Sequence, residues 1–380
     1  MNPFFSIKSG LALVLSLSLM PTAVFAAEPT VQPLPTLTYE QALEKARTHS
    51  SDLKDLQDYA DFLQKTKEDL WDSVGYFNTI TYEYQKWVND VWYTITSAAY
   101  QTDSGMKQNA YTKELTELAL QATVKSYFTT IFTNLDSLKL AQKNAEVQKA
   151  LYQQGQVKNR MGLLSKYQLD QLEIASKKAQ DNVTLLENAL EQEYMKLNGM
   201  MGEKPEVRFR YIYDVAYAPY ELKQTLDQYI VEKTKNDPSI KLRELAFDNA
   251  KFNRNYLPES WDGSQDNRNE MTYDQAKRAV KTAKENKEFA IRNAYLQIQQ
   301  LETVYASAQA DLKKAKGDLR AAEINYKVGN LKKIDVAQAE LGVLNAENAL
   351  RKNMYNHDML IFSFEHPALL GNDTAGNQKQ

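Results

Sequence analysis

The chain has 380 residues, is 43% hydrophobic and carries a net charge of only −3, with both signs interspersed. That balance argues against nucleic acid as a main partner. There is no cysteine, which excludes a disulfide framework, a zinc–thiolate site and a cysteine nucleophile; the mean hydropathy of −0.58 suits long exposed helices.

Residues 1–26 read as a secretory signal. Lys8 supplies the positive region, Leu11 to Leu19 the apolar run, and Val24-Phe25-Ala26 a cleavage site before Ala27. The run is too short to span a bilayer comfortably, and no later stretch reads as a transmembrane helix. The mature protein is therefore expected to be exported, then free, wall-associated or assembled at a surface. Thr38, with Gln41 three residues on, predicts a capped helix over 39–49. A second helix starts at Ser51, with Leu53, Leu56, Tyr59, Leu63 and Leu70 on one side.

The segment 74–100 is rich in aromatics: Tyr76, Phe77, Tyr82, Tyr84, Trp87, Trp92, Tyr93 and Tyr100. Ile80, Tyr82 and Tyr84 alternate with polar residues as in a strand, while Trp87, Val91, Ile95 and Ala98 are spaced for a helix. A short β-hairpin around 76–99 and a helix both fit, and Gly105 is expected to end the segment.

From Tyr111 the pattern predicts a helix of about 50 residues, or ~75 Å at 1.5 Å per residue. Leu120, Val124, Tyr127, Ile131, Leu135, Leu138, Ala141 and Ala145 form its seam. Gly162 turns the chain, 164–197 returns antiparallel, and Asn198-Gly199 is the expected stop. Residues 200–220 form a connector, with alternation at 207–213 that suits a short strand. Helices are then expected over 221–236 and 239–254, broken at Asp237-Pro238, followed by a polar loop at 255–271. A second long helix over 272–328, a turn at Gly329, a return over 331–363 and a disordered tail at 371–380 complete the reading.

The fold class is therefore mainly α: two long antiparallel coiled-coil hairpins that arise from an internal duplication. Met161-Gly162-Leu163-Leu164-Ser165-Lys166 recurs as Val328-Gly329-Asn330-Leu331-Lys332-Lys333, 167 positions later. At that offset Val124 falls on Ile291, Ile131 on Ile298, Ala141 on Ala308 and Gln171 on Gln338. Nearer the N-terminus the offset is 187, with Leu43 on Ile230. The first half thus holds a 20-residue insertion, which the aromatic segment fits.

The Leu37-Thr38-Tyr39-Glu40-Gln41-Ala42-Leu43 opening, the two glycine-tipped hairpins and the Leu197-Asn198-Gly199 close together resemble the TolC-like outer-membrane efflux family. The Arg160-Met161-Gly162-Leu163-Leu164-Ser165 turn is similar to that family's first tip. Tyr326 and Gly329, followed by Asp335-Val336 and Ala339-Glu340, resemble its second. The resemblance covers 37–199 as a first repeat, with its aromatic insertion at about 74–100, and 221–364 as a second. It implies a homotrimer whose hairpins form a hollow α-helical cylinder, docked on a periplasmic-type adaptor that serves an inner-membrane transporter. Arg160, Gly162, Leu163, Ser165, Gly329 and Asn330 would carry the docking. Lys332 and Lys333 depart from the small polar residues usual there. The location implied is the outer membrane or cell envelope.

The family inserts two membrane strands per repeat, each needing ~9–11 residues. Residues 76–84 and 91–99 are just long enough for two, but 255–271 is too polar and broken for any. A branch without a complete barrel, periplasmic or wall-associated, is the expectation. The aromatic end, with Tyr76, Tyr82, Tyr84, Trp87, Trp92 and Tyr93, reads either as an envelope- or membrane-facing surface or as a hydrophobic cap on the helices. No enzyme motif stands out: His49, His357 and His366 are scattered, and no phosphate loop or Gly-x-Ser-x-Gly element occurs. Neither catalysis nor a cofactor or metal is expected. The alternative to a conduit is a non-transporting structural or adhesive rod of the cell envelope.

Overall fold

The computed structural model describes residues 34–74, 86–88, 90–258 and 260–371. The signal segment, Tyr76, Tyr82, Tyr84 and residues 372–380 lie outside the described residues. The elements run β1 (Thr36–Thr38), α1 (Tyr39–His49), α2 (Ser51–Val74), β2 (Lys86–Val88), α3 (Asp90–Arg160), α4 (Lys166–Met201), β3 (Arg210–Ile212), α5 (Leu226–Asn236), α6 (Pro238–Asn255), β4 (Leu257–Pro258), α7 (Asp266–Lys327) and α8 (Lys333–Glu365). A 3-10 turn at Pro367–Leu369 follows.

Two antiparallel hairpins, α3–α4 and α7–α8, lie side by side as a layer in the order α4, α3, α8, α7. Ion pairs join the hairpins: Lys143 to Glu340 at 2.5 Å and Arg351 to Asp136 at 2.6 Å. At the end away from the glycine turns, α1 packs on both α3 and α4 and α2 continues along α3, while α6 packs between α3 and α7. The layer therefore continues upward with each returning helix replaced by an entry helix of its own repeat.

The duplication is visible in the cores. One is built on Leu43, Val124, Phe128, Ile131 and Leu197, the other on Ile230, Ile291, Ile298 and Phe364. Val124 and Ile291, Ile131 and Ile298, and Leu197 and Phe364 are 167 positions apart, and all are buried. The capping boxes repeat at the other offset. Gln41 N–H donates to Thr38 Oγ1 (3.3 Å), as Gln228 N–H does to Thr225 Oγ1 (3.3 Å), 187 positions later. Each glutamine side chain accepts in return from the backbone of its cap residue.

The helix expected from 221 begins at Leu226, after its Thr225 cap, and the chain departs from the expected boundaries in three further places. First, α3 begins at Asp90 rather than Tyr111, so Gly105 lies inside it and 90–99 is helix. Strand-favouring residues are overridden there by packing on α6: Tyr93 stacks on Tyr256, Tyr100 on Phe252, and Thr96 shares a 2.7 Å hydrogen bond with the Tyr256 hydroxyl. Strand β2 falls within the range allotted to a β-hairpin, but it pairs in parallel with β4, Lys86 opposite Leu257. Second, α4 runs past Asn198-Gly199 to Met201, and Gly202 takes the left-handed turn at φ 71°. A side chain there would meet the His49 ring. Buried Asn198 instead staples the connector, its Nδ2 donating to the carbonyls of Lys204, Pro205 and Val207. Third, α7 starts at Asp266, inside the expected loop.

The 207–213 alternation yields β3, which pairs in parallel with β1, Thr36 opposite Arg210 and Thr38 opposite Ile212. Tyr211 and Tyr213 from this segment pack around Phe128, with Tyr213 also stacking on Tyr355. The Tyr213 hydroxyl donates to Asp358 (2.8 Å), which also pairs with Lys125.

Candidate functional site

Both glycine turns sit at the same end of the layer, because α3 and α8 are antiparallel neighbours. Each closes a Schellman motif. At the first tip, Leu163 N–H donates to the Lys158 carbonyl and Gly162 N–H to the Asn159 carbonyl, both at 2.9 Å. At the second, Asn330 N–H donates to the Asn325 carbonyl (2.9 Å) and Gly329 N–H to the Tyr326 carbonyl (3.0 Å). The second pair of hydrogen bonds is the first pair moved by 167 positions. They require φ of 73° at Gly162 and 83° at Gly329, where other residues are strained.

The return helices start differently. Ser165 caps α4 in a reciprocal box with Gln168, the Gln168 N–H donating to Ser165 Oγ at 3.2 Å. Lys332 has no acceptor to offer in that position. Asp335 compensates from the third helical position by accepting from the Lys332 N–H at 2.7 Å.

The two tips expose what the turns do not use. Leu163 is 70% exposed, and Met161, Tyr167, Tyr326 and Val328 are exposed too. Arg160, Lys158, Lys327, Lys332 and Lys333 surround them. Lys166 pairs with Asp170 at 2.7 Å, and that hydrogen bond holds its ammonium above the usual lysine range. Six cations stand in or beside the two turns, with Asp170 and Asp335 as the nearest acids in sequence. The predicted tip residues Arg160, Gly162, Leu163, Ser165, Gly329 and Asn330 therefore gather at one end of the molecule, in two matched turns.

Sequence reasoning missed Gly155, one turn-and-a-half before the tip. It is buried where α3 crosses α4, and a Cβ there would lie 2.5 Å from Leu172 Cδ1. The signal was a glycine inside an otherwise unbroken helical pattern. Asn159 was also missed; its Nδ2 donates to the Leu164 carbonyl (2.8 Å) and braces the first turn.

At the opposite end, Trp92 and Tyr93 lie on the first turn of α3, Tyr93 against Tyr256 and Trp92 partly exposed. Trp87 is placed on β2. Trp261 donates from Nε1 to Asp266, and Ser260 donates from N and Oγ to Asp90, tying the α6–α7 link to the start of α3. Among the described residues no three His, Asp or Glu side chains are grouped to hold a metal ion, and no helix is long and apolar enough to cross a membrane.

The double hairpin, the entry helices that prolong it and the connector match the fold of the TolC-like outer-membrane channels. Among solved structures it is shared with the CmeC outer membrane channel of Campylobacter jejuni, at 15% identity and a TM-score of 0.66 over 87% of this chain and 85% of that one. The outer membrane protein VceC of Vibrio cholerae matches at 13% and 0.61, over 88% and 96%. The MtrE outer membrane channel of Neisseria gonorrhoeae, in its open state, matches at 13% and 0.62, over 87% and 88%. No family model and no curated protein matches by sequence.

Proposed function

We propose that this chain is an exported, TolC-like component of an efflux or type I secretion conduit. It forms a homotrimeric α-helical cylinder and docks through its glycine tips on a periplasmic-type adaptor that serves an inner-membrane transporter. The observation that carries the reading is the matched pair of Schellman tips. Two copies of one rigid turn, ringed by cations and exposed apolar side chains, suit docking better than chain reversal alone. Arg160, Leu163 and Ser165 would contact the adaptor from the first tip, and Asn330 from the second; Gly162 and Gly329 set the geometry.

Closure into a cylinder is supported by the edges of the layer. α4 exposes Ile174, Leu185 and Met195 along one edge, and α7 exposes Phe289, Leu296 and Val304 along the other. Two different edges joined head to tail generate a ring when the rotation closes. The test combines light scattering on the purified mature chain with capture of adaptors encoded in the same cell, using wild type and an Arg160→Glu/Leu163→Asp variant. A trimer whose adaptor capture is lost in the variant is expected. A monomer that captures no adaptor would reject the conduit and favour the structural or adhesive rod.

A further inference from the structure

We infer that neither repeat crosses a lipid bilayer, so that the end opposite the tips stays in water. Chain length and topology at that end carry the inference. In each repeat the chain leaves the rod on one helix and re-enters on the next. Any excursion into lipid must therefore cross and return. Two crossings need two strands of ~9–11 residues each, plus a turn. The second repeat has only positions 256–265 between Asn255 and Asp266. The first has only positions 75–89 between Val74 and Asp90, and 86–88 of these are held by β4 of the other repeat. Neither interval reaches two strands.

The second link is also built to stay wet. Arg254 pairs with Glu270 at 2.6 Å, and Asn269 Nδ2 donates to the Asn253 carbonyl at 3.2 Å, so α6 and α7 are clamped together at the reversal. The exposed residues of the reversal include Asp262, Gly263 and Ser264. Charged groups and irregular backbone facing lipid are strongly disfavoured. Ser260 and Trp261 fold back onto Asp90 and Asp266, which closes this end with side-chain contacts. The far end of the assembly therefore faces water, and a route across an outer bilayer would have to be supplied by another component.

The absence of cysteine makes the test clean. Full-length mature protein is mixed with phosphatidylethanolamine/phosphatidylglycerol vesicles, and single-channel currents are recorded across planar bilayers of the same lipids. A Ser264→Cys variant is labelled with a charged, membrane-impermeant maleimide with and without vesicles. No discrete conductance steps, and labelling rates that agree within twofold, are expected. Discrete steps, or labelling slowed tenfold or more by vesicles, would overturn the inference. A protein that stays trimeric and captures its adaptor, yet gives pore steps, would refute this inference and leave the conduit reading intact. A monomer without conductance would do the reverse.

Discussion

At the scale of single residues, the second repeat buries an ion pair where the first has two uncharged residues. Leu120 falls on Lys287 in the second repeat, and Ser50 on Asp237. Lys287 is 5% exposed and Asp237 3%, and their side chains meet at 3.2 Å. Lys287 also donates to the carbonyls of Pro367 (2.6 Å) and Leu370 (3.0 Å), so it pins the segment after α8 onto α7. Burial pulls the lysine below its usual range, and Asp237 partly restores it. Lys287→Leu would copy the first repeat yet leave Asp237 buried without its cation. A loss of about 3–5 kcal/mol is expected by urea unfolding, the range for breaking a buried pair. Gly155 offers a steric counterpart. Gly155→Leu drives a side chain into Leu172 and should cost about 1–3 kcal/mol. Gly162→Ala, with open space around its Cβ, should cost only the left-handed strain, ~1–2 kcal/mol.

At the scale of elements, much of the helical frame is legible in the sequence. Thr38-x-x-Gln41, the 3.6-residue seam from Leu120 onward and the glycine turns each carry their own local signal, and the structure places an element on each. What the sequence hid was decided by distant partners. Residues 90–99 are open between strand and helix, since Val91, Ile95 and Ala98 are spaced for a helix while the aromatics and threonines favour strand; Phe252 and Tyr256, some 150–160 residues away, supply the aromatic surface that selects the helix. Gly202 rather than Gly199 turns the chain because Asn198 is needed inside, bound to three connector carbonyls. The tip residues were readable as a set because both turns use the same backbone hydrogen bonds. Gly155 was not, since its role depends on how closely α4 approaches.

The buried tyrosines of the connector, α5 and α8 give this scale a pH signature. Burial pushes the hydroxyls of Tyr211, Tyr213 and Tyr229 well above the usual tyrosine value, and that of Tyr355 up to about 12. In the unfolded chain tyrosines ionise near ~10. The folded form then keeps protons that the unfolded form loses, so the stabilisation is complete below pH 10 and declines as pH rises toward 12. Melting temperatures measured from pH 9 to 11.5 should fall progressively, and Tyr355→Phe should make the fall shallower. Absorbance at 295 nm should show late tyrosinate formation in the native protein.

For the whole molecule, the proposed trimer places assembly on the two open edges, α4 and α7. Leu185→Glu on α4 or Leu296→Glu on α7 replaces an exposed side chain, so the monomer should melt within about 1 kcal/mol of wild type. Each variant should nonetheless shift the light-scattering mass from trimer toward monomer. Mixing the two should not restore the ring, because each closed ring uses every edge. Unchanged mass in both variants would show that these edges do not form the interface.

The parallel pairing of Thr36–Thr38 with Arg210–Ile212 has a consequence for the origin of the architecture. It brings the entry of the first half beside its exit. A unit whose ends touch can be copied in tandem with only a short link between copies, here residues 213–225, and no strand or helix has to be rethreaded. Ancestry and geometry then coincide. The gene could double because the unit already returned to its starting point, and later drift was free to lengthen one copy at its far end without disturbing the joint.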